Sequence, residues 1–428
     1  MAFRAHRFSP RPFLERCHES QPTCFVTEAH LTLRDFRDDS LNGLLAYELP
    51  VLSQNNLPAQ FFREAKDKDM GILSSFFADD LAIDLGTVNT LIYAPHRGVV
   101  LCEPSAVAIH KYTHEVTAFG SEAFKLLGRE PHDVEVYRPI RNGTIENFEV
   151  AEKMLAAFIN RVHDGHQKRS HLVIGVPGSS TALEQRSVRD AAHIAKVTRV
   201  DLVDEGLAAA LGAGLDFDDE HAHLVVDIGG GTTNVAIIAS AAVVSSMSLR
   251  AAGNAMDEAI HDYVRGKYSM LIGERTAEEV KHELGTARIA QDNQKFEERR
   301  IEVVGKDLVD GSAKAVEITS SEVCEAIEPV LAEITSGARR VIEEAQPDAT
   351  ADIYHTGIIL TGGGALMDGM SERLQKELRL HVVTADNPLA AVAFGAGRLL
   401  EEPEKLQRVT IRQDVPAWQM SEELIVNW

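Results

Sequence analysis

The sequence predicts an α/β protein built from two related lobes that face a shared cleft. Three observations carry this expectation. Apolar runs of strand length recur along most of the chain, helical windows lie between them, and one phrase occurs twice. Leu81-Ala-Ile-Asp84-Leu-Gly86-Thr87 and Val225-Val-Asp227-Ile-Gly229-Gly230-Gly231-Thr232-Thr each read as strand, Asp, glycine-rich turn, Thr, strand. Their separation of 143 positions is too long for a solenoid repeat and suits one domain following another.

The strands can be justified in order. Leu81-Ala-Ile, Leu91-Ile-Tyr, Gly98-Val-Val-Leu, Ser105-Ala-Val-Ala-Ile, His171-Leu-Val-Ile-Gly-Val, His223-Leu-Val-Val-Asp and Asn234-Val-Ala-Ile-Ile are rich in β-branched residues and bounded by turn formers. Val150-Ala-Glu-Lys-Met-Leu-Ala-Ala-Phe-Ile and Ser187-Val-Arg-Asp-Ala-Ala-His-Ile-Ala repeat apolar positions three or four apart, the spacing of a helix face. Hairpins interleaved with helices mean mixed sheets.

At 428 residues, 44% hydrophobic and 25% charged, the chain has the length of two ordinary domains and the balance of a soluble globular protein. Its net charge of -22 argues against nucleic acid, because phosphate binding needs clustered Lys and Arg. Any polyanion must be cradled locally. Cys17, Cys24, Cys102 and Cys324 show no metal-ligand spacing, so a reduced, cytosolic setting is the default. No run of 18 apolar residues occurs, so no span is expected to cross a membrane. The first residues lack a secretory apolar core, although their Arg before Glu15 faintly resembles a transit peptide. Residues 1–69 hold 5 of the 15 prolines and 7 of the 16 phenylalanines without a clear period, and are expected to be a weakly structured extension.

A turn rich in Gly and Thr gathers backbone N–H groups and hydroxyls in one concave place, the local geometry of an anion nest. Phosphate fits such a nest, and an Asp beside it calls for a divalent cation, which Mg2+ supplies with few carboxylates and several waters. One such turn alone is ordinary hairpin chemistry. Two facing one another are not. No P-loop or Rossmann fingerprint competes with this reading. A third cluster, Thr361-Gly362-Gly363-Gly364, follows an apolar strand and is expected to open a helix, where backbone can approach an anion or a flat nucleoside closely.

Asp84-Leu-Gly-Thr-Val-Asn-Thr, Asp227-Ile-Gly-Gly-Gly-Thr-Thr and Leu360-Thr-Gly-Gly-Gly-Ala-Leu, in this order, resemble the actin, heat-shock chaperone and sugar-kinase superfamily. Within it the chain is most similar to the bacterial actins of the MreB family. Arg138-Pro-Ile-Arg-Asn-Gly-Thr-Ile, Ile174-Gly-Val-Pro, Ile272-Gly-Glu-Arg-Thr-Ala-Glu-Glu-Val-Lys and Asp386-Asn-Pro-Leu-Ala-Ala-Val-Ala extend the similarity over roughly 79–402. It implies an actin-like two-lobed ATPase fold, with two related mixed-sheet domains around a nucleotide cleft. The implied lobes span 70–220 and 221–384, with small subdomains at about 103–137 and about 255–320. A helix at 385–402 would return to the first lobe, 403–428 would form a tail, and Met70 stands where chains of this family usually start.

The resemblance also implies roles. ATP phosphates would rest on Gly86, Thr87 and Asn89 and on Gly229, Gly230, Gly231 and Thr232, with Asp84 and Asp227 organising Mg2+ largely through water. Thr361, Gly362, Gly363 and Gly364 would back the adenosine, and Glu278 and Lys281, one helical turn apart, would approach the ribose or adenine edge. Glu184 would position the attacking water, a sensible task in phosphoryl transfer, where orientation matters more than covalent chemistry. Without that role Glu184 is a first-turn helix glutamate, and Glu278 and Lys281 are a solvated surface pair.

Two departures stand out. Asn234 occupies a position where the family commonly has an acid, which implies slow hydrolysis, and Asp204-Glu205-Gly206 replaces Glu-Glu-Pro, which predicts an altered hinge. The implied activity is a slow ATPase coupled to polymerisation into filaments at the inner face of a cell membrane. The implied partners are other copies of the chain, the membrane surface and wall-elongation membrane proteins. Relatives reach the bilayer through an N-terminal amphipathic segment or an apolar loop. Met70-Gly-Ile72-Leu73-Ser-Ser-Phe76-Phe77 offers the former, while His163–His171 has no apolar wedge and offers only electrostatic contact. A nucleotide-binding scaffold that barely hydrolyses and a small-molecule kinase are the alternative functions. A chaperone would need a peptide-binding domain, for which the tail is too short, and the terminal residues Ser421–Trp428 are expected to fray.

Overall fold

The computed structural model describes residues 80–163, 170–195, 197–288 and 298–411. Residues 1–69, the Met70–Phe77 anchor, the centre of the His163–His171 loop and the terminal segment Ser421–Trp428 lie outside the described residues.

The first half of the fold runs β1 (Leu81–Leu85), β2 (Asn89–Ala94), β3 (Gly98–Pro104), β4 (Val107–His110), β5 (Val116–Phe119), α1 (Ser121–Phe124), β6 (Val134–Tyr137), β7 (Ile140–Arg141), β8 (Thr144–Ile145), α2 (Phe148–Val162), β9 (His171–Val176), α3 (Ala182–Ile194), β10 (Arg199–Asp204) and α4 (Glu205–Gly212). Its main sheet has the order β10-β9-β1-β2-β3, with a small β5-β4-β6 sheet and a β7-β8 hairpin beside it. The second half runs β11 (His223–Ile228), β12 (Thr233–Ala239), β13 (Ala242–Leu249), α5 (Gly253–Tyr268), β14 (Met270–Leu271), α6 (Glu274–Leu284), β15 (Arg300–Asp307), β16 (Ala313–Thr319), α7 (Ser320–Glu344), α8 (Pro347–Thr356), β17 (Ile358–Thr361), α9 (Met370–Leu378), β18 (Val382–Thr384), α10 (Ala391–Glu401) and α11 (Pro403–Val409). Its main sheet has the order β13-β12-β11-β17-β18, with β14-β15-β16 apart. Each main sheet thus has a hairpin at its centre and a parallel neighbour, β1-β2 with β9 and β11-β12 with β17.

Local chemistry explains the helices that cover these sheets. The Asn147 side chain accepts the Val150 N–H at the start of α2, and Val150, Met154, Leu155, Phe158, Ile159 and Val162 then bury one face on the first sheet. Helix α7 opens with a Thr319–Glu322 capping box and buries Val323, Ile327, Leu331, Ile334, Ala338 and Val341 against the second sheet. No helix among the described residues is long and apolar enough to cross a membrane.

Strand alternation decides which way the two Asp residues look. Leu81 and Ile83 point into the core under α2, so Ala82 and Asp84 point to the opposite face. Leu224, Val226 and Ile228 likewise point into the core under α7, leaving Val225 and Asp227 on the other face. Ala82, Val173 and Val203 of one sheet and Val225, Ala236 and Ile238 of the other share a single core with α4 and α10, which lie between the sheets. The stretch after Glu402, expected to be a tail, starts as helix α11 because Pro403 suits a first helical position and Leu406 is buried in that same core.

Helices α4 and α10 approach through glycine. A Cβ on Gly212 would land on the Ala391 carbonyl, and one on Gly395 on the Ala208 carbonyl. Either Gly212→Ala or Gly395→Ala is therefore expected to destabilise the fold by about 1–3 kcal/mol. Gly266→Ala, in α5 with open space around it, is expected to be neutral or stabilising by up to about 1 kcal/mol. Urea unfolding of the three variants checks this.

Candidate nucleotide site

The two repeated turns are held from behind and pressed together in front. Behind the first, the Ser105 hydroxyl donates to the Gly86 carbonyl at 2.6 Å and the Ser105 N–H to the Val88 carbonyl at 2.8 Å. Behind the second, the Gly253 and Asn254 N–H groups at the start of α5 donate to the Gly229 and Gly230 carbonyls at 3.2 and 2.7 Å. These bonds satisfy carbonyls of the turns and orphan donors of the helix together. In front, Val88 lies so close to Gly230, and Thr87 to Gly231, that a Cβ on either glycine would overlap it. Thr87 is buried in that contact. A phosphate can enter between the turns only if they part.

A third piece of chain joins them. Asn142 and Gly143 both have positive φ, 49° and 74°, as the tight turn joining β7 to β8 requires. The Gly143 N–H donates to Thr87 Oγ1 at 3.1 Å, and a Cβ there would sit 3.0 Å from Thr232 Cγ2. The Asn-Gly pair was readable as a turn, but nothing local in the sequence announced this contact.

Beneath the turns lies a group of acids. Across the second sheet Thr361, Asp227, Asn234 and Ser248 stand in register, so they share the inner face. Thr361 Oγ1 donates to Asp227 Oδ1 at 3.1 Å, and Asn234 Nδ2 donates to Glu205 Oε2 at 2.9 Å. Burial and then the Asp227 charge raise the Asp84 pKa to about 7. Burial raises Asp227 to about 6 against the Thr361 bond. Burial, followed by Asp84, Asp227 and Asp204, holds Glu205 well above the usual carboxylate range despite Asn234, and burial also raises Asp204. Among the described residues none of these four carboxylates has an ion-pair partner, and no three acidic, His or Cys side chains converge to hold a metal directly. Two facing carboxylates without a cation form a donor set that fits a hydrated divalent ion.

The remaining expected residues are placed as follows. Thr361 is buried at the end of β17, and Gly362 has φ +81°, where a Cβ would sit 2.5 Å from Asp227 Oδ1. The cluster leads into a single 3-10 turn, Gly363–Leu366, and the α-helix starts only at Met370, so the expected helix N-terminus is absent at the glycines. Gly364 allows this tight turn to pack on Ile228. Asn89 begins β2, and a Cβ on Gly86 would lie 2.6 Å from the Asn89 carbonyl oxygen.

Lys281 is not one half of a solvated pair with Glu278. Its Nζ reaches Asp257 Oδ2 at 2.8 Å and the Gly253 carbonyl at 3.1 Å, with both charged side chains 11% exposed. It pins the start of α5, and so the Gly229–Thr232 turn, while Glu278 stays partly buried one turn earlier on α6. Burial nevertheless raises Asp257 to about 6, against the pull of Lys281. Glu184 closes the capping box of α3: its Oε2 accepts the Thr181 N–H at 2.7 Å and the Thr181 hydroxyl at 2.8 Å, leaving Oε1 free of those bonds. Gly206 stands in regular helix and not in a permissive turn. It lies inside the first turn of α4, where its missing side chain admits Ala236 of β12.

The acids make the ligand-free protein pH-sensitive. Asp84 and Asp227 keep protons in the native state that the unfolded chain releases around the ordinary value of 3.8. Stability is therefore fullest on the acid side and is lost as pH rises through about 6 and then about 7. In EDTA, the unfolding free energy from urea titration is expected to fall between pH 5 and 8 by on the order of 3–4 kcal/mol, and the midpoint with it. Asp84→Asn should flatten that fall, and a midpoint that rises with pH would contradict it.

Comparison with known proteins fits this geometry. The MreB/Mbl protein family model matches residues 78–408. The cell shape-determining protein MreB of Escherichia coli strain K12 is 43% identical over 331 residues, which cover 76% of this chain and 94% of that protein. The cell shape-determining protein Mbl of Bacillus subtilis strain 168 is 39% identical over 336 residues, covering 78% and 98%. The crystal structure of MreB5 of Spiroplasma citri bound to ADP superposes with a TM-score of 0.72 at 31% identity, covering 77% of this chain and 98% of that one. A structure of the MamK double helical filament shares the fold, with a TM-score of 0.64 at 22% identity. The chain belongs to the MreB/Mbl family of cell shape-determining proteins and has their actin-like fold.

Proposed function

We propose that the chain binds ATP with Mg2+ between its two main sheets, hydrolyses it slowly, and polymerises into filaments held at the inner face of the cell membrane. There the filaments would guide wall synthesis with wall-elongation membrane proteins. The observation that carries the nucleotide reading is the meeting of three glycine turns, two from one sheet and one from the other, beside buried carboxylates that have no Lys or Arg ion-pair partner among the described residues. Structures of Spiroplasma citri MreB5 with ADP and with AMPPNP support it.

In this reading the amides and hydroxyls of Gly86, Thr87 and Asn89 and of Gly229, Gly230, Gly231 and Thr232 cradle the phosphates once the turns part. Asp84 and Asp227 hold a hydrated Mg2+, which when bound screens phosphate charge. Thr361, Gly362, Gly363 and Gly364 form a floor without side-chain bulk, and Lys281 with Glu278 borders the ribose side. Lys281 acts there chiefly by fixing α5 through Asp257. Glu184 orients water with Oε1 while Oε2 keeps its capping bonds. Nucleotide closes the lobes on itself and favours the polymer, and hydrolysis favours disassembly.

A second reading, a filament scaffold that binds ATP but barely hydrolyses it, is favoured by one contact: Asn234 spends its amide on Glu205 and has no proton-accepting group to offer. Phosphate release separates the two. Glu184→Ala is expected to lower release at least about 10-fold while ATP affinity stays within about 3-fold. Release at background level in both proteins supports the scaffold, and equal release above background removes Glu184 from the reaction. Sedimentation with Mg-ATP, with and without anionic liposomes, tests polymerisation and membrane attachment separately: pelleting without lipid supports the filament, and added recovery with lipid supports the anchor.

A further inference from the structure

Arg138 reaches across the cleft. It stands between β6 and β7, and Pro139 behind it restricts its backbone to extended conformations. Its guanidinium lies over the buried Phe124 ring, 5.3 Å from the centroid, so the long side chain is held before it meets any partner. Nη1 then donates to Glu274 Oε1 at 2.6 Å, and Glu274 is the first residue of α6, on the far side. The two halves of the pair differ: the Arg138 side chain is 12% exposed and the Glu274 side chain 53%. One half is fixed and the other can swing into water. Five residues later on the same short segment, Gly143 touches Thr87 and Thr232. The segment thus contacts the lip of the cleft and both phosphate turns.

We propose that the Arg138–Glu274 ion pair is a clasp across the cleft that sets how long a bound nucleotide stays. The proposal rests on the nucleotide reading above. Since Thr87 and Gly231 are in contact, nucleotide can pass only when the two sides separate, and separation must break the clasp. The bond is short and charge-assisted, and its arginine is desolvated and pre-positioned, so it resists opening more than an exposed pair does. When it breaks, Glu274 is hydrated at once, while Arg138 stays stacked on Phe124 and ready to rebind. Asp257, a second acid of the far side, also feels the Arg138 charge.

The test uses the full chain with Mg2+ and a fluorescent ATP analogue. Equilibrium titration gives the affinity, and chase with excess unlabelled ATP in a stopped-flow instrument gives the release rate. Glu274→Gln and Glu274→Arg sit at an exposed helix start and should fold with unchanged circular dichroism. Release is expected to quicken roughly 3- to 10-fold in Glu274→Gln, and further in Glu274→Arg. In an Arg138→Gln background, Glu274→Gln should change the rate little further. Added KCl should speed release from the unaltered protein but hardly from Glu274→Gln. Unchanged release in both Glu274 variants overturns the clasp and leaves the nucleotide reading standing. A Glu274→Gln effect of undiminished size in the Arg138→Gln background also overturns it. An unaltered chain that binds no analogue overturns the nucleotide reading, and the clasp with it.

Discussion

The close crossing of α4 and α10 is the constraint on which the cleft depends. Two main sheets of similar build must be held face to face without burying each other's inner surfaces, and a pair of helices between them does this. The crossing is tight because Gly212 and Gly395 present bare backbone to one another. It fixes where α4 begins, and α4 begins with Asp204 as its N-cap and Glu205 as its first residue. A larger residue at either glycine would move the carboxylates as well as loosen the core.

That placement sets polar demands against apolar ones. Alanine and β-branched side chains dominate the inter-sheet core, yet its upper edge carries Asp84, Asp204, Glu205 and Asp227 in a region where burial is the first cause of their raised pKa values. A protein selected only for stability would not gather four acids there. Thr361 and Asn234 offset part of the cost with one hydrogen bond each. Asn234 in particular is comprehensible in place. A carboxylate at that position would face Glu205 across the distance now spanned by an amide donor.

The parts legible in the sequence were those whose physics is local. Apolar, β-branched runs leading to Asp84 and Asp227 marked the strands, and the glycine turns followed from the need for bare backbone beside a hydroxyl. Glu184 was legible as a first-turn helix glutamate, and the structure adds the capping box with Thr181. What escaped depended on pairs far apart in the chain. Asp257 lies 24 residues before Lys281 with nothing to mark it among many acids. Gly212 and Gly395 look like weak points in their helices until the helices are laid together, and Gly206 reads as a permissive turn until it is seen in helix against Ala236. The 3-10 turn after Thr361 was missed because glycine permits several conformations and the choice is made by packing on Ile228.

The seal between Thr87 and Gly231 has a consequence for any affinity measured on this protein. A ligand that enters between the turns sees only molecules in which they have separated, so its apparent dissociation constant is the intrinsic one divided by the open fraction. The side chain at position 87 therefore acts as a thermodynamic dial. By holding the turns together in the free protein it can weaken apparent binding, separately from any contact that its hydroxyl makes once they part.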